Sequence, residues 1–263
     1  DLHLSLRRQR QMCIRDRSRP NQQNMQRCGI DEVSRALESE EVSLVLFLRD
    51  SSDEEALRLR DLAESRSIPV REASTMDMWR MSKENLGEIP PPILALVGRK
   101  PDATVEQSLG SGGLCWLLAG ARYPVNIGFT IRTAEVSGAS AVFVDGNLSH
   151  SEKKAARRAS MKADRFIPVH WVNGDDLVSQ AKSQGLRIVS LEDSGESGPW
   201  DTDLTGDILI VVGGEREGIP SSILEKSDSV VRVPMSGFVP SYNLQAPMAV
   251  LAAESIRQRE MDR

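Results

Sequence analysis

Apolar residues along the chain fall into two patterns that alternate. Short, nearly continuous aliphatic runs at 43–48, 93–97, 114–118 and 208–212 are too brief for helices and read as buried strands. Longer stretches with helical spacing separate them. In the first part of the chain the pattern predicts helices over 30–37, 51–64 and around 76–83, with strands at 43–48, 68–70 and 93–97. Ser52, Asp53 and Glu54 supply the opening of the second helix. This alternation implies a small α/β layer sandwich. Further on it strengthens, with strands at 114–118, 141–144, 187–191, 208–212 and 230–233 and helices over 127–137, 152–160, 175–184 and 244–257. Strands apolar on both faces indicate a parallel sheet covered on each side, so the fold class is α/β. Pro90, Pro91 and Pro92 bar a helix, and Gly110-Ser111-Gly112-Gly113 reads as a flexible joint. The chain therefore divides into a small unit over 21–100, a linker over 101–112 and a larger unit over 113–263.

A chain of 263 residues suffices for one or two domains with a core that needs no disulfides. Hydrophobic content of 40% with 27% charged residues excludes general disorder. No apolar run approaches the roughly 18 residues of a membrane span. Residues 1–20 lack the apolar stretch of a secretory signal. Cys13, Cys28 and Cys115 are odd in number and have no metal-ligand spacing, so neither a disulfide framework nor a metal site is expected, and a reducing cytoplasm is.

The formal charge of −5 hides an uneven layout. Residues 1–20 hold six arginines in aperiodic text and are read as a disordered leader outside the fold, the rival reading being a basic RNA-binding arm. Residues 31–72 carry twelve acidic and six basic side chains, a poor surface for gripping phosphate by charge. Between 151 and 170 the sign reverses: Lys153, Lys154, Arg157, Arg158, Lys162 and Arg165 face only Glu152 and Asp164. Alone, such a run is a solvated helix face.

Ligands of open parallel sheets sit beyond the carboxyl ends of the strands, which directs attention to the loops after Leu118, Val212 and Val233. The first leads to Asn126, Gly128 and Arg132. A helix starting near Asn126 would be capped by it and would place Arg132 on nearly the same side. Gly128 would let another backbone approach, and the guanidinium suits a phosphate or a developing oxyanion. The second loop, from Gly213 to Pro220, contains Gly214, Glu215 and Gly218. It is neither a P-loop nor a dinucleotide fingerprint. Glu215 there is a candidate hydrogen-bond partner or proton acceptor. The third, from Pro234 to Leu244, opens the last helix, with Ser241 or Asn243 as the cap and Pro247 in the first turn.

NxGxxxR, then GGExxG, then VPMxGxxxSxN before an alanine-rich helix resembles the SPOUT methyltransferases of the TrmH (SpoU) family over roughly residues 113–260. Ala159-Ser160 and Phe166-Ile167-Pro168 resemble the stretch between that family's first two motifs. Residues 21–100 resemble the L30e-like RNA-binding domain often fused ahead of it.

The resemblance implies S-adenosylmethionine-dependent 2′-O-methylation of a ribose in structured RNA, ribosomal RNA above transfer RNA, with a C-terminal trefoil knot, a homodimer, and an active site near the subunit interface. It assigns Asn126, Arg132, Glu215 and Asn243 to catalytic and structural polar positions. Gly213, Gly214, Gly218, Val233, Met235, Ser241 and Tyr242 fall where relatives wrap the cofactor or brace its loop. An arginine loses its proton only above about pH 12, so Arg132 is expected to clamp phosphate and stabilise an oxyanion rather than act as base. An RNA enzyme with an acidic chain needs a local positive patch, and Lys153, Arg157, Arg158 and Lys162 become its expected contacts. The third motif departs from the family in Tyr242, Leu244, Gln245 and Pro247. That motivates a competing reading, an RNA-binding member without transfer. A Ser-His-Asp hydrolase fits poorly, since only His3, His150 and His170 exist and no GxSxG elbow is present.

Overall fold

The computed structural model describes residues 25–82, 89–239 and 241–261. The expectation of a leader over residues 1–20 lies outside them. Two sheets organise the described chain. The smaller contains β1 (Gln26–Cys28), β2 (Val42–Leu48), β3 (Val70–Ala73) and β4 (Ile93–Val97) in the order β1-β4-β2-β3. β2 and β3 run parallel, while β4 is antiparallel to both β1 and β2. Helices α1 (Gly29–Ser39) and α2 (Glu54–Ser65) bury Val33, Ala36, Ala56 and Ala63 against one face. Helix α3 (Thr75–Met81) places Met78 on Leu44, Leu46 and Leu94 of the other.

The larger sheet is parallel throughout, in the order β10-β8-β9-β5-β6-β7. Its strands are β5 (Leu114–Ala119), β6 (Ala141–Asp145), β7 (Val169–Trp171), β8 (Arg187–Leu191), β9 (Ile208–Gly213) and β10 (Ser229–Val231). The period of two explains why the strands read as unbroken apolar runs. Leu114, Trp116 and Leu118 of β5 enter the core beneath α5 (Pro124–Val136), α6 (His150–Ala159) and α9 (Gln245–Met261). Cys115, Leu117 and Ala119 enter the opposite core, beneath α4 (Val105–Gly110), α7 (Gly174–Ser183) and α8 (Ser221–Leu224). Burial pushes the Cys115 thiol up to about 12, so it stays protonated and packs as a small apolar group.

The sequence expectations differ from the structure at several places. The stretch 101–112, expected as a linker, contains α4: Thr104 and Gln107 form a capping box, and Leu109 is buried in the larger core. The third strand begins at Val70 rather than at residue 68, and β1, β7 and α8 carried no recognised signal.

The two sheets are joined through polar contacts. Arg99, just past β4, is buried; its Nη1 donates to the Ala139 carbonyl at 2.7 Å and its Nη2 pairs with Glu135 of α5 at 2.8 Å. Lys162 Nζ meets both carboxylate oxygens of Asp77 at 2.6 Å. Arg71 on β3 donates to the carbonyl of Arg165 at 2.8 Å.

Candidate active site

Pro124 takes the first position of α5, where its fixed φ fits and its missing N–H costs nothing; Tyr123 precedes it without a side-chain cap. Asn126 therefore lies inside the first turn instead of capping the helix, a correction to the sequence reading. Its amide is free to reach another loop. Asn126 Nδ2 donates to Glu215 Oε1 at 2.8 Å, and Glu215 Oε2 accepts the backbone N–H of Arg122 at 3.2 Å. A carboxylate only accepts, so the amide nitrogen of Asn126 must face Glu215 and its oxygen must face away. That oxygen accepts from Asn243 Nδ2 at 3.3 Å, and Asn243 Oδ1 accepts the N–H of Gln245 at 3.1 Å, in the first turn of α9. Of the two expected caps, Asn243 is the one that bonds the helix. One polar chain thus ties together the loops after β5, β9 and β10.

Backbone packing closes the same region. The Gly214 N–H donates to the Ala119 carbonyl at 2.6 Å, and a side chain at Gly214 would collide with the Gly120 carbonyl. A side chain at Gly213 would strike the backbone of Gly218, which itself holds φ +67. Glu192, following β8, accepts the Ile219 N–H at 3.1 Å and so braces this loop from the next strand. Val233 and Met235 are half-buried in the loop after β10, and Ser241 is exposed. The Tyr242 hydroxyl donates to the Pro234 carbonyl at 3.0 Å, folding that loop onto itself.

Arg132 is not brought into this junction. Six residues along a helix advance about 9 Å and leave two side chains about 120° apart, not on one side. Its exposed side chain lines a cavity of about 1290 Å³ between the two sheets, with no hydrogen bond or ion pair among the described residues. Arg157 and Arg158 of α6 line the same cavity, as does Lys154. Lys153 instead sets its ammonium 5.0 Å from the ring centroid of Trp171. Lys162 is committed to Asp77, whose carboxyl it holds below the usual range. Gly128 meets its expectation of close backbone approach: a side chain there would collide with Ala159 and the Ala156 carbonyl of α6.

Sequence reasoning missed Arg122, Glu192 and Arg71. Glu192 had a signal, being the first residue beyond an apolar strand of a parallel sheet. Arg71 had none. Among the described residues no group of three His, Cys, Asp or Glu is placed to hold a metal ion, and no helix is long and apolar enough to cross a membrane.

A parallel sheet with three laced loops at its carboxyl ends agrees with the match of residues 114–253 to the SpoU rRNA Methylase family. The chain belongs to that family. It is 27% identical over 247 residues to the 23S rRNA (guanosine-2′-O-)-methyltransferase RlmB of Xylella fastidiosa, covering 92% of this chain and 99% of that one. Identity reaches 33% over 163 residues with RlmB of Pseudomonas syringae pv. tomato, covering 62% and 65%. Among solved structures, the SpoU methyltransferase AviRb from Streptomyces viridochromogenes, in complex with the cofactor AdoMet, superposes with a TM-score of 0.55 at 22% identity, covering 90% of this chain and 91% of that one. That likeness is one of fold.

Proposed function

We propose that this chain transfers the methyl group of S-adenosylmethionine to a ribose 2′-hydroxyl of ribosomal RNA. The observation that carries the proposal is the Glu215–Asn126–Asn243 chain, which holds three loops together at the strand ends where such a sheet binds its ligand. The RlmB relative, aligned along 92% of this chain, is named a 23S rRNA (guanosine-2′-O-)-methyltransferase, and AviRb was solved with AdoMet.

The residues present suit that cofactor. Gly213 and Gly214 let the loop backbone pack directly on Gly218 and Gly120, which shapes the strand ends without side chains. Glu192 and Glu215 give the loops a negative character that matches a sulfonium cation. Gly213, Gly214, Gly218, Val233, Met235, Ser241 and Tyr242 would hold it. When bound, S-adenosylmethionine supplies a methyl group already activated for transfer. Glu215 orients the Asn126 amide, and Asn243 fixes the start of α9 against it. The Arg132 guanidinium steadies negative charge on the ribose or its phosphate.

The setting of Arg132 supports a homodimer in which a second copy completes the site. Tyr123, Val125 and Phe129 near the start of α5, together with Phe238, Val239 and Tyr242, are exposed. These apolar side chains flank the laced loops, where a second copy would cover them. The same reading makes the small sheet an L30e-like RNA-binding domain, the C-terminal segment a trefoil knot, and the cytoplasm the setting. Arg157 and Arg158 are its RNA contacts, with Lys153 beside them on α6. Lys162, held by Asp77, keeps the small sheet in place.

Ribose methylation mapped across total RNA, with and without the protein, tests this reading. One additional methylated ribose in ribosomal RNA is expected, and it should disappear with Arg132→Ala while calorimetry still shows cofactor binding. Cofactor and RNA binding with no added methyl would instead favour the non-transferring reading suggested by Tyr242 and Leu244.

A further inference from the structure

The edge strand β3 of the small sheet meets the large unit just before its edge strand β7, where Arg71 donates to the Arg165 carbonyl. Around this contact lies a second hollow of about 400 Å³, lined by Arg71, Pro101, Arg157, Asp164, Arg165 and Val169. Three arginines therefore line it, from β3, from α6 and from the short 3-10 turn Ala163–Arg165. They face a single carboxylate, Asp164, which already accepts the Ser160 hydroxyl at 2.8 Å. Neither the Arg157 nor the Arg165 side chain makes a hydrogen bond or ion pair among the described residues. Arg71 spends one of its five N–H donors on the Arg165 carbonyl.

Several other arginines of this protein do pair with a carboxylate: Arg27 with Glu40, Arg49 with Glu72, Arg99 with Glu135 and Arg257 with Glu254. Three arginines around one carboxylate leave an excess of positive charge, which an anion between them relieves. Planar forked guanidiniums match the oxygens of a phosphate in pairs. The hollow shares Arg157, Asp164 and Arg165 with the larger cavity that contains Arg132, Lys154 and Arg158. A basic track thus runs from β3 of the small sheet across α6 to α5. At about 1290 Å³ the larger cavity exceeds the roughly 300–1,000 Å³ usual for a small-molecule site, as suits a polymer.

We propose that Arg71, Arg157 and Arg165 form a phosphate site that grips the RNA backbone away from the methylated nucleotide, with the small sheet supplying one of the three ligands. The proposal rests on the RNA-methyltransferase reading and adds to it the path of the substrate between the two sheets. Both units must then hold their relative position for the RNA to bind well, which gives the Lys162–Asp77 and Arg99–Glu135 pairs a functional consequence.

The test measures binding of a ribosomal RNA fragment to the full chain by fluorescence anisotropy over a series of salt concentrations, for wild type and for Arg71→Gln, Arg157→Gln and Arg165→Gln. Each variant is expected to weaken RNA binding about five- to tenfold and to lower the log–log salt slope by about one. Cofactor affinity by calorimetry should stay unchanged. Arg71→Gln also removes the contact to the Arg165 carbonyl; Arg157→Gln breaks no internal bond and carries the test if the first variant loosens the fold. Wild-type affinity and slope in Arg157→Gln and Arg165→Gln, with methyl transfer to RNA intact, would overturn this site and the Arg157 contact, and leave the proposed methyl transfer standing. Variants that lose affinity for inorganic phosphate yet bind RNA as wild type would also overturn it. A wild-type chain that binds no RNA at any salt concentration removes both proposals.

Discussion

Asn126 is the residue on which the site turns, because its amide donates to Glu215 on one side and accepts from Asn243 on the other. Asn126→Asp keeps its shape but sets a second carboxylate against Glu215, where a 2.8 Å donor contact stood. Two carboxylates so close share a proton only as the pH falls. Methyl transfer by this variant is expected to drop about a hundredfold near neutrality and to recover relative to wild type on acidification, as read from initial rates across a pH series. A second residue-scale expectation concerns Asp77. Lys162 holds its folded-state value below the ordinary one, so this pair stabilises the protein above the unfolded carboxyl range and its contribution is lost as pH falls through the lower folded value. Thermal melts of wild type and Asp77→Asn should therefore differ near neutral pH, begin to converge as the pH falls below about 4, and meet only beneath the lowered folded value. None of these partnerships has a local sequence signal: Asn126 and Glu215 stand 89 positions apart, and only the order of the motifs linked them.

Among the elements, legibility followed burial. Strand β8 was readable to its ends because Ile188, Val189 and Leu191 are buried within the sheet, between β9 and β10. Strands β1 and β7 sit at sheet edges, are half-buried and read QRC and VHW, so neither periodicity nor composition marks them. Helix α4 did carry a signal, the Thr104–Gln107 box, but the glycines that follow drew the reading toward a joint. The start of α5 was placed late because Asn126 was taken for the cap, although Pro124 stands two residues before it. Helix packing supplies its own expectation. Gly128→Val would push a branched side chain into Ala159 and the Ala156 carbonyl, at a cost of about 1–3 kcal/mol or more. For a chain of this size that lowers Tm by about 2–4 °C per kcal/mol, measurable by calorimetry. Because α6 must move to make room, RNA affinity should fall along with stability.

For the molecule as a whole, the contact between the sheets matters more than either sheet alone. Arg99 is buried at the seam, where burial lowers its guanidinium against the pull of Glu135, and its Nε finds no partner. Arg99→Ala would leave Glu135 and the Ala139 carbonyl unpaired, a loss of about 1–3 kcal/mol. Melting should then separate into two transitions as the small sheet uncouples, with cofactor binding retained and RNA binding reduced. That the chain forms two α/β units was plain from its alternating pattern; how they meet was not, because Arg71, Arg99 and Lys162 make polar contacts beside a Phe166 packed on the small sheet, and surface arginines look alike in a sequence.

The strand order has a consequence for how the protein comes into being. Strand β9 slots between β5 and β8, both made earlier, and Asn243 reaches back 117 positions to Asn126. A nascent chain that has not yet released Ile208 from the ribosome holds β5 and β8 with nothing between them, each presenting an unfilled edge. Such long-range pairing folds slowly, so synthesis leaves an interval in which the half-made sheet is open to capture by other chains or by a chaperone. A junction that needs Asn126, Glu215 and Asn243 together cannot close until Asn243 has left the ribosome.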